Sequence, residues 1–217
     1  MHIKIIPCLN DNYSYLLYDE SSNTVAIIDP SEFSTCDKII DKNYKKLDFI
    51  LNTHHHYDHV GGNVELKKKY NSTVLGFEND KNRIPGIDKF LKDAQEFKIG
   101  TLNFNTIFIP GHTRGHIAFY FKKEKILFSG DTLFSLGCGR IFEGTSEQMF
   151  QSLNKLKSLP ADTKVYCGHE YTYKNLEFCL KFNPNNNFLK KKKDAIELSL
   201  KNKKPTIPST IGDEIKA

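Results

Sequence analysis

Thr53-His54-His55-His56-Tyr57-Asp58-His59 places four of the chain's eight histidines within six positions. The segment follows directly on Asp48 to Asn52, whose apolar centre Phe49-Ile50-Leu51 reads as a short strand. In extended backbone, His54 and His56 point to one side and His55 to the other. Asp58 and His59 then stand at the start of the next helix and offer a second set of ligands. Imidazole suits zinc, iron and other first-row metals, and a carboxylate widens the choice. So dense a cluster has few structural explanations other than metal binding.

Three further strand ends repeat the theme. Thr106 to Ile109 leads into Pro110-Gly111-His112, Ile126 to Phe128 into Ser129-Gly130-Asp131, and Lys164 to Cys167 into Gly168-His169. Each candidate ligand follows a glycine, which permits tight backbone passage beside a metal. Taken singly, His112 or His169 reads as an ordinary packed histidine, and Asp131 as a cap of a helix or turn. The cluster lifts them, because a site must draw its remaining ligands from somewhere. His2, His55 and His116 stay outside the ligand set, with His116 a hydrogen-bond partner behind it. Cys138 and Cys167 lie near in sequence, but a soft thiolate is not needed where ligands suffice.

Around these points, strands and helices alternate through the first 170 residues. Strands are expected at Ile3 to Ile6, Tyr13 to Tyr18, Thr24 to Asp29, Thr73 to Phe77 and Lys164 to Cys167. Hairpins are expected over Glu96 to Ile109 and across Lys122-Lys123-Glu124. Helices are expected at Lys38 to Tyr44, Asn63 to Tyr70 and Ser146 to Leu159, the last with Ser146 as its N-cap. From Tyr171 the texture changes to helices alone, Tyr171 to Phe182 and Asn187 to Lys201, and Pro205 and Pro208 end the regular structure. The expectation is a mixed α/β domain over residues 1–170 with a small helical cap over 171–217.

Composition bounds the function. Ten Lys against five Asp and Glu lie from Tyr171 onward, so that stretch accounts for the whole net charge of +5 and the rest is near neutral. A near-neutral main domain lacks the broad basic surface that a phosphate backbone requires, so no nucleic-acid partner is expected. No run approaches the roughly 18 apolar residues of a membrane span. Met1 to Pro7 lacks the apolar core and cleavage site of a secretion signal. Five scattered cysteines form no CxxC pair; reduced thiols and a cytoplasmic location are expected. Oligomeric state is not legible.

These residues resemble the metallo-β-lactamase superfamily and, within it, the glyoxalase II (hydroxyacylglutathione hydrolase) family. The resemblance runs through Asn10 to Tyr13, Thr53 to Asn63, Pro110 to His116 and Gly130 to Phe134. It continues through Gly137 to Gly144, Tyr166 to Thr172 and Pro205 to Thr210. The metal cluster identifies the superfamily, and the last three segments point to the family.

The resemblance implies an αββα sandwich with a small C-terminal helical domain, the site at one edge of the two sheets. It implies that His54, His56 and His112 bind one divalent metal and Asp58, His59 and His169 a second, with Asp131 bridging. Zinc is expected, with iron or manganese as the alternatives. Two metals sharing a water lower its pKa toward ~7 and supply a nucleophile without a serine or cysteine. Asp58 and Asp131 are the expected catalytic residues, Asp58 orienting the water or accepting its proton.

The implied substrate is S-D-lactoylglutathione, cleaved to D-lactate and glutathione. Arg140, Phe142 and Tyr171 occupy the matching substrate positions. Phe142 stands where some members have Tyr, so the hydroxyl contact is absent. Members of the family continue past Pro-Ser-Thr with basic residues for the glycine carboxylate of glutathione, whereas this sequence ends at Ala217. A weaker grip, replacement by Lys190 to Lys193, and a shifted thiol preference remain open. The alternative function is a superfamily hydrolase of broader acyl-thioester or RNA phosphodiester substrates. A β-lactamase reading is weaker, since zinc β-lactamases usually lack the second His of Asp-His. A one-metal persulfide dioxygenase fits poorly with seven ligands.

Overall fold

The computed structural model describes residues 1–217. The first sheet contains β1 (His2–Cys8), β2 (Asn12–Asp19), β3 (Thr24–Ile28), β4 (Phe49–Leu51), β5 (Thr73–Phe77) and β6 (Lys89–Leu91), in that spatial order. The first three strands are antiparallel neighbours, and β3 to β6 run parallel. Parallel neighbours need crossovers, which α1 (Phe33–Asn43), α2 (Tyr57–Val60) and α3 (Asn63–Tyr70) help supply. The second sheet is built from β7 (Glu96–Ile99), β8 (Leu102–Phe108), β9 (Ile117–Phe121), β10 (Ile126–Gly130), β13 (Lys164–Cys167) and β14 (Ser209–Thr210), ordered β14-β13-β10-β9-β8-β7. Between β10 and β13 lie the small hairpin β11 (Leu133–Phe134) and β12 (Gly137–Cys138) and the helix α4 (Ser146–Lys157). The chain closes with α5 (Thr172–Phe182), α6 (Asn187–Lys201) and, after β14, α7 (Ile211–Lys216).

Side-chain alternation sorts the layers. On β2, Tyr13, Tyr15 and Leu17 face a core of 21 residues shared with Phe104, Phe119, Phe121 and Phe128 of the second sheet. Leu16, one residue out of phase, packs outward with Cys36 and Ile40 of α1 and Leu66 of α3. The second sheet's outer face carries Ala118, Leu127 and Val165 against Leu156 of α4 and Ile211 of α7. Both sheets are thus covered on two faces, which gives an αββα sandwich. Phenylalanine and tyrosine fill the space between the sheets in a chain that has no tryptophan. No helix is long and apolar enough to cross a membrane.

Three expectations need correction. Helix α1 begins at Phe33, five residues before the expected Lys38, because Cys36 and Ile40 bury one stripe against the sheet and override the weak helix formers Ser34 and Thr35. Thr145, not Ser146, caps α4: its hydroxyl accepts from the Gln148 amide while the Gln148 side chain accepts from the Thr145 amide. The tail is not helical throughout. After α6 it returns, and Ser209 and Thr210 pair with Val165 and Lys164 at the sheet edge. Glu170 fastens that return, accepting from the Thr206 amide at 2.9 Å, the Thr206 hydroxyl at 2.6 Å and the Tyr13 hydroxyl at 2.6 Å.

Candidate metal centre

Four strand ends converge on one edge of the sandwich. The loop after β4 brings His54 and His56, and α2 brings Asp58 and His59. The segments after β8, β10 and β13 bring His112, Asp131 and His169. Asn52 and Asn63 staple the ends of the first loop: Asn52 Nδ2 donates to the His59 carbonyl at 3.0 Å, and Asn63 Nδ2 to Asn52 Oδ1 at 2.8 Å. The two sheets meet here, since the Tyr13 amide donates to the Gly168 carbonyl and the Glu170 amide to the Asp11 carbonyl, each at 2.8 Å.

All seven expected ligands come together, in two groups. His54 Nε2 and His112 Nε2 lie 3.1 and 3.0 Å from His56 Nδ1. Tetrahedral metal–nitrogen bonds of about 2.0–2.1 Å hold ligand nitrogens roughly 3.3 Å apart, close to this spacing. In the second group, His59 Nε2 and His169 Nε2 lie 3.5 and 3.4 Å from Asp58 Oδ2. Asp131 faces both groups. One of its oxygens lies 3.4 Å from His59 Nε2, and the other lies 3.5 Å from His112 Nε2 and 3.2 Å from His169 Nε2. Asp29, His54 and His59 also cluster closely enough to hold an ion. Asp29, however, already accepts from Thr53 and His59 and is committed as their anchor.

Each imidazole is oriented through the nitrogen that faces away from the centre, except that of His56. Asp29 Oδ2 lies 3.1 Å from His59 Nδ1 and Asp11 Oδ1 2.8 Å from His169 Nδ1. The Arg140 carbonyl lies 2.7 Å from His112 Nδ1, and the Thr53 hydroxyl, itself donating to Asp29, lies 3.0 Å from His54 Nδ1. Such partners fix the tautomer and leave Nε2 free. Asn12 Nδ2 donates to Asp58 Oδ2 at 2.9 Å. His116 stands behind the cluster as expected: its ring stacks on His54 at 4.6 Å, and its Nε2 accepts from the Asp131 amide at 3.0 Å. Glycine is required at all three approaches, as two of them illustrate. At Gly168 a Cβ would lie 2.2 Å from Asp131 Oδ1, and Gly130 has φ +49° with Thr53 and His116 against it.

The electrostatics suit cations. Burial, then the charge of neighbouring rings, holds His54 and His56 in the neutral form, His56 down to about 4. Burial opposes charge on His169 too, yet hydrogen bonds to Asp131 and Asp58 lift it to about 10. Asp58 and Asp131 sit below the usual carboxylate range: burial works against this, and His169 and His59 outweigh it. One half of the site supplies neutral nitrogen donors and the other strongly favours positive charge. Buried His59 Nε2 and Asp131 Oδ1 also lie 3.4 Å apart without a hydrogen bond between them. These unsatisfied donor atoms fit metal ions.

A cavity of about 830 Å³ opens over the cluster. Arg140, Phe142 and Tyr171 all line it, together with Asp11, Lys174 and Asn175, which the sequence reading did not single out. Arg140 is exposed, with its guanidinium 5.7 Å from the Phe142 ring centre. Tyr171 stacks flat on His169 at 4.8 Å. His55, turned away as expected, meets Asp80 instead, Nδ1 to Oδ2 at 3.3 Å. Asp29 and Asp11 were missed as orienting groups. Their partners lie 30 and 158 residues away, although Asp11 stood inside a segment that carried the resemblance.

Residues 10–169 match the family model described as the metallo-beta-lactamase superfamily, and residues 170–217 match the hydroxyacylglutathione hydrolase C-terminus. The chain is 52% identical over 216 residues to a protein of Pelagibacter ubique (strain HTCC1062) named hydroxyacylglutathione hydrolase, covering 100% of this chain and 90% of that protein. Among solved structures it resembles the BLEG-1 B3 metallo-beta-lactamase, with a TM-score of 0.71, 27% identity and coverage of 77% of this chain and 91% of the other. It also resembles TTHA1623 in a di-iron-bound form, with a TM-score of 0.64, 26% identity and coverage of 78% and 92%.

Proposed function

The chain belongs to the metallo-β-lactamase superfamily and, within it, to the hydroxyacylglutathione hydrolases; from that membership we propose how its site cleaves S-D-lactoylglutathione to D-lactate and glutathione. The observation that carries the reading is the seven-residue cluster of imidazoles and carboxylates, five of which (His56, Asp58, His112, Asp131 and His169) line the 830 Å³ cavity, with Arg140 and Tyr171 on its wall. His54, His56 and His112 would hold one divalent cation and Asp58, His59 and His169 a second, with Asp131, which faces both groups, as a ligand shared between them. Zinc is the proposed metal, with iron or manganese as alternatives; the di-iron form of a structural relative supports a two-metal occupancy.

Bound there, the pair of ions supplies acidified water and polarises the thioester carbonyl. The chain's own groups do the rest. Asp58, fixed by Asn12 and open to the cavity, orients the attacking water and takes its proton. The water oxygen bonds to the carbonyl carbon, the carbon–sulfur bond breaks, the glutathione thiolate leaves with the proton returned by Asp58, and the new carboxylic acid loses its proton to solvent. Arg140 binds a carboxylate of the tripeptide, while Phe142 and Tyr171 supply apolar walls. Residues 1–170 form the catalytic domain and 171–217 the substrate-binding cap, a division supported by the change of family match at residue 170. Five free cysteines are compatible with a cytoplasmic location.

The test compares hydrolysis of S-D-lactoylglutathione with that of a non-glutathione lactoyl thioester, using purified protein of known metal content. A clear preference for the glutathione substrate, abolished by chelation, is expected. Equal and slow cleavage of both would overturn the glutathione assignment.

A further inference from the structure

Behind the ligands, a partly buried charged bridge connects the two sheets beside the site. Asp80, in the turn that follows β5, is fully buried. It is held by the Arg83 guanidinium through Nε at 3.1 Å and through Nη2. Arg83 Nη1 then donates to Glu143 Oε1 at 2.6 Å, and Glu143 Oε2 accepts from the Arg114 amide at 2.8 Å. His55 closes the network, with Nδ1 3.3 Å from Asp80 and Nε2 3.3 Å from Arg83. The contact surface leaves no slack: at Gly115 a Cβ would lie 1.9 Å from Asp80 Oδ1.

Glu143 ends the loop that carries Arg140 and Phe142. This loop lies over the His112 segment on weak backbone bonds. The Phe142 and Glu143 amides donate to the His112 carbonyl at 3.2 and 3.3 Å, and the Gly144 amide to the Gly111 carbonyl at 3.1 Å. The same loop presents the Arg140 carbonyl to His112 Nδ1. On the first-sheet side, Glu143 Oε1 is held by Arg83 Nη1 at 2.6 Å and lies 3.6 Å from His55 Nε2.

We propose that Arg83 and Glu143 are positioning residues, which hold the 139–144 loop, and with it Arg140 and Phe142, over the metal centre. The inference rests on the substrate role assigned to that loop above. Arg83 does not line the cavity, so it acts through Glu143. Breaking the bridge at Glu143 leaves Arg83 with Asp80 and avoids stranding a buried carboxylate.

The experiment measures Glu143→Ala and Glu143→Gln against wild type, with Arg83→Met as a second break. KM for S-D-lactoylglutathione should rise about tenfold in Glu143→Ala, with kcat changed less than threefold, and Glu143→Gln should recover part of the loss. Glu143 is an acid on the cavity wall. If it acted only as a repulsive charge, its removal would lower KM for an anionic substrate, and that result overturns the proposal. Amide hydrogen exchange provides a readout independent of activity. The Phe142, Glu143 and Gly144 amides should exchange at least about tenfold faster in both breaking variants, while β9 and β10 stay protected. Unchanged exchange in this loop overturns the proposal even if the substrate assignment stands. Wild type inactive on the glutathione thioester overturns that assignment, and exchange still decides the bridge.

Discussion

At the scale of single residues, the histidine–aspartate cluster depends on groups that stand outside it. Asp29 gives one oxygen to His59 Nδ1 and the Thr53 hydroxyl and the other to the Thr53 amide, so one carboxylate orients His59 directly and His54 through Thr53. Asp29→Asn should cost about 10–100-fold in metal affinity, measured by competition with a chelating dye, because partners of this kind carry that much. Asp131→Ala should cost more, since it removes the one carboxylate that faces both groups. Arg140→Ala should raise KM for the glutathione thioester about tenfold and leave kcat near wild type, as expected for a contact equal in ground and transition states. The clustering of the seven candidate ligands was legible because His, Asp and Gly recur after strand-like runs. Their supports were not. An aspartate such as Asp29 looks like a turn residue until folding brings it to a histidine 30 positions away.

Among elements, the reading succeeded where local pattern and tertiary context agree. Phe49–Leu51, Asn63–Tyr70, Thr73–Phe77, Lys164–Cys167 and Asn187–Lys201 stand where the apolar spacing placed them. It failed at β6 and β14, which have only three and two residues and exist because a neighbouring edge pairs with them. The α4 cap gives a direct check: Thr145→Ala should destabilise by about 1 kcal/mol in urea denaturation, and Ser146→Ala by much less. Asp19, at the end of β2, binds the β7–β8 turn of the other sheet by accepting from the Thr101 amide and hydroxyl, each at 2.7 Å. Burial would raise its pKa, but the hydrogen bonds from Ser22 and Thr101 bring it down to about 2. The folded value lies below the unfolded value of ~3.9, so its stabilisation is complete above that pH and is lost as pH falls toward 2. Asp19→Asn should therefore flatten the acid limb of the stability curve between about pH 4 and 2.

For the whole molecule, the helical cap carries the entire excess of positive charge and packs Leu176, Leu189 and Ile196 around Leu136, which lies between β11 and β12. It is nonetheless tied to the sandwich through β14, through α7 and through Glu170, so it closes one side of the cavity rather than trailing from it. A mixed α/β domain was legible from the alternating elements, and the αββα arrangement only through the resemblance of the motifs to a known superfamily. The way the chain's end returns to the sheet was not, because Pro205 and Pro208 read as the end of regular structure. Metal binding should contribute to the stability of this assembly by mass action. At a hundredfold excess over Kd each site adds about 2.7 kcal/mol, so chelation should lower Tm by about 5–10 °C for each ion removed.

The most direct test of the account returns zinc stepwise to metal-free protein while S-D-lactoylglutathione hydrolysis is followed. The account predicts that activity reaches its plateau at two ions per chain, and that Asp131→Ala neither retains two ions nor hydrolyses the thioester. Full activity at one ion per chain, or two ions firmly held by Asp131→Ala, would contradict it.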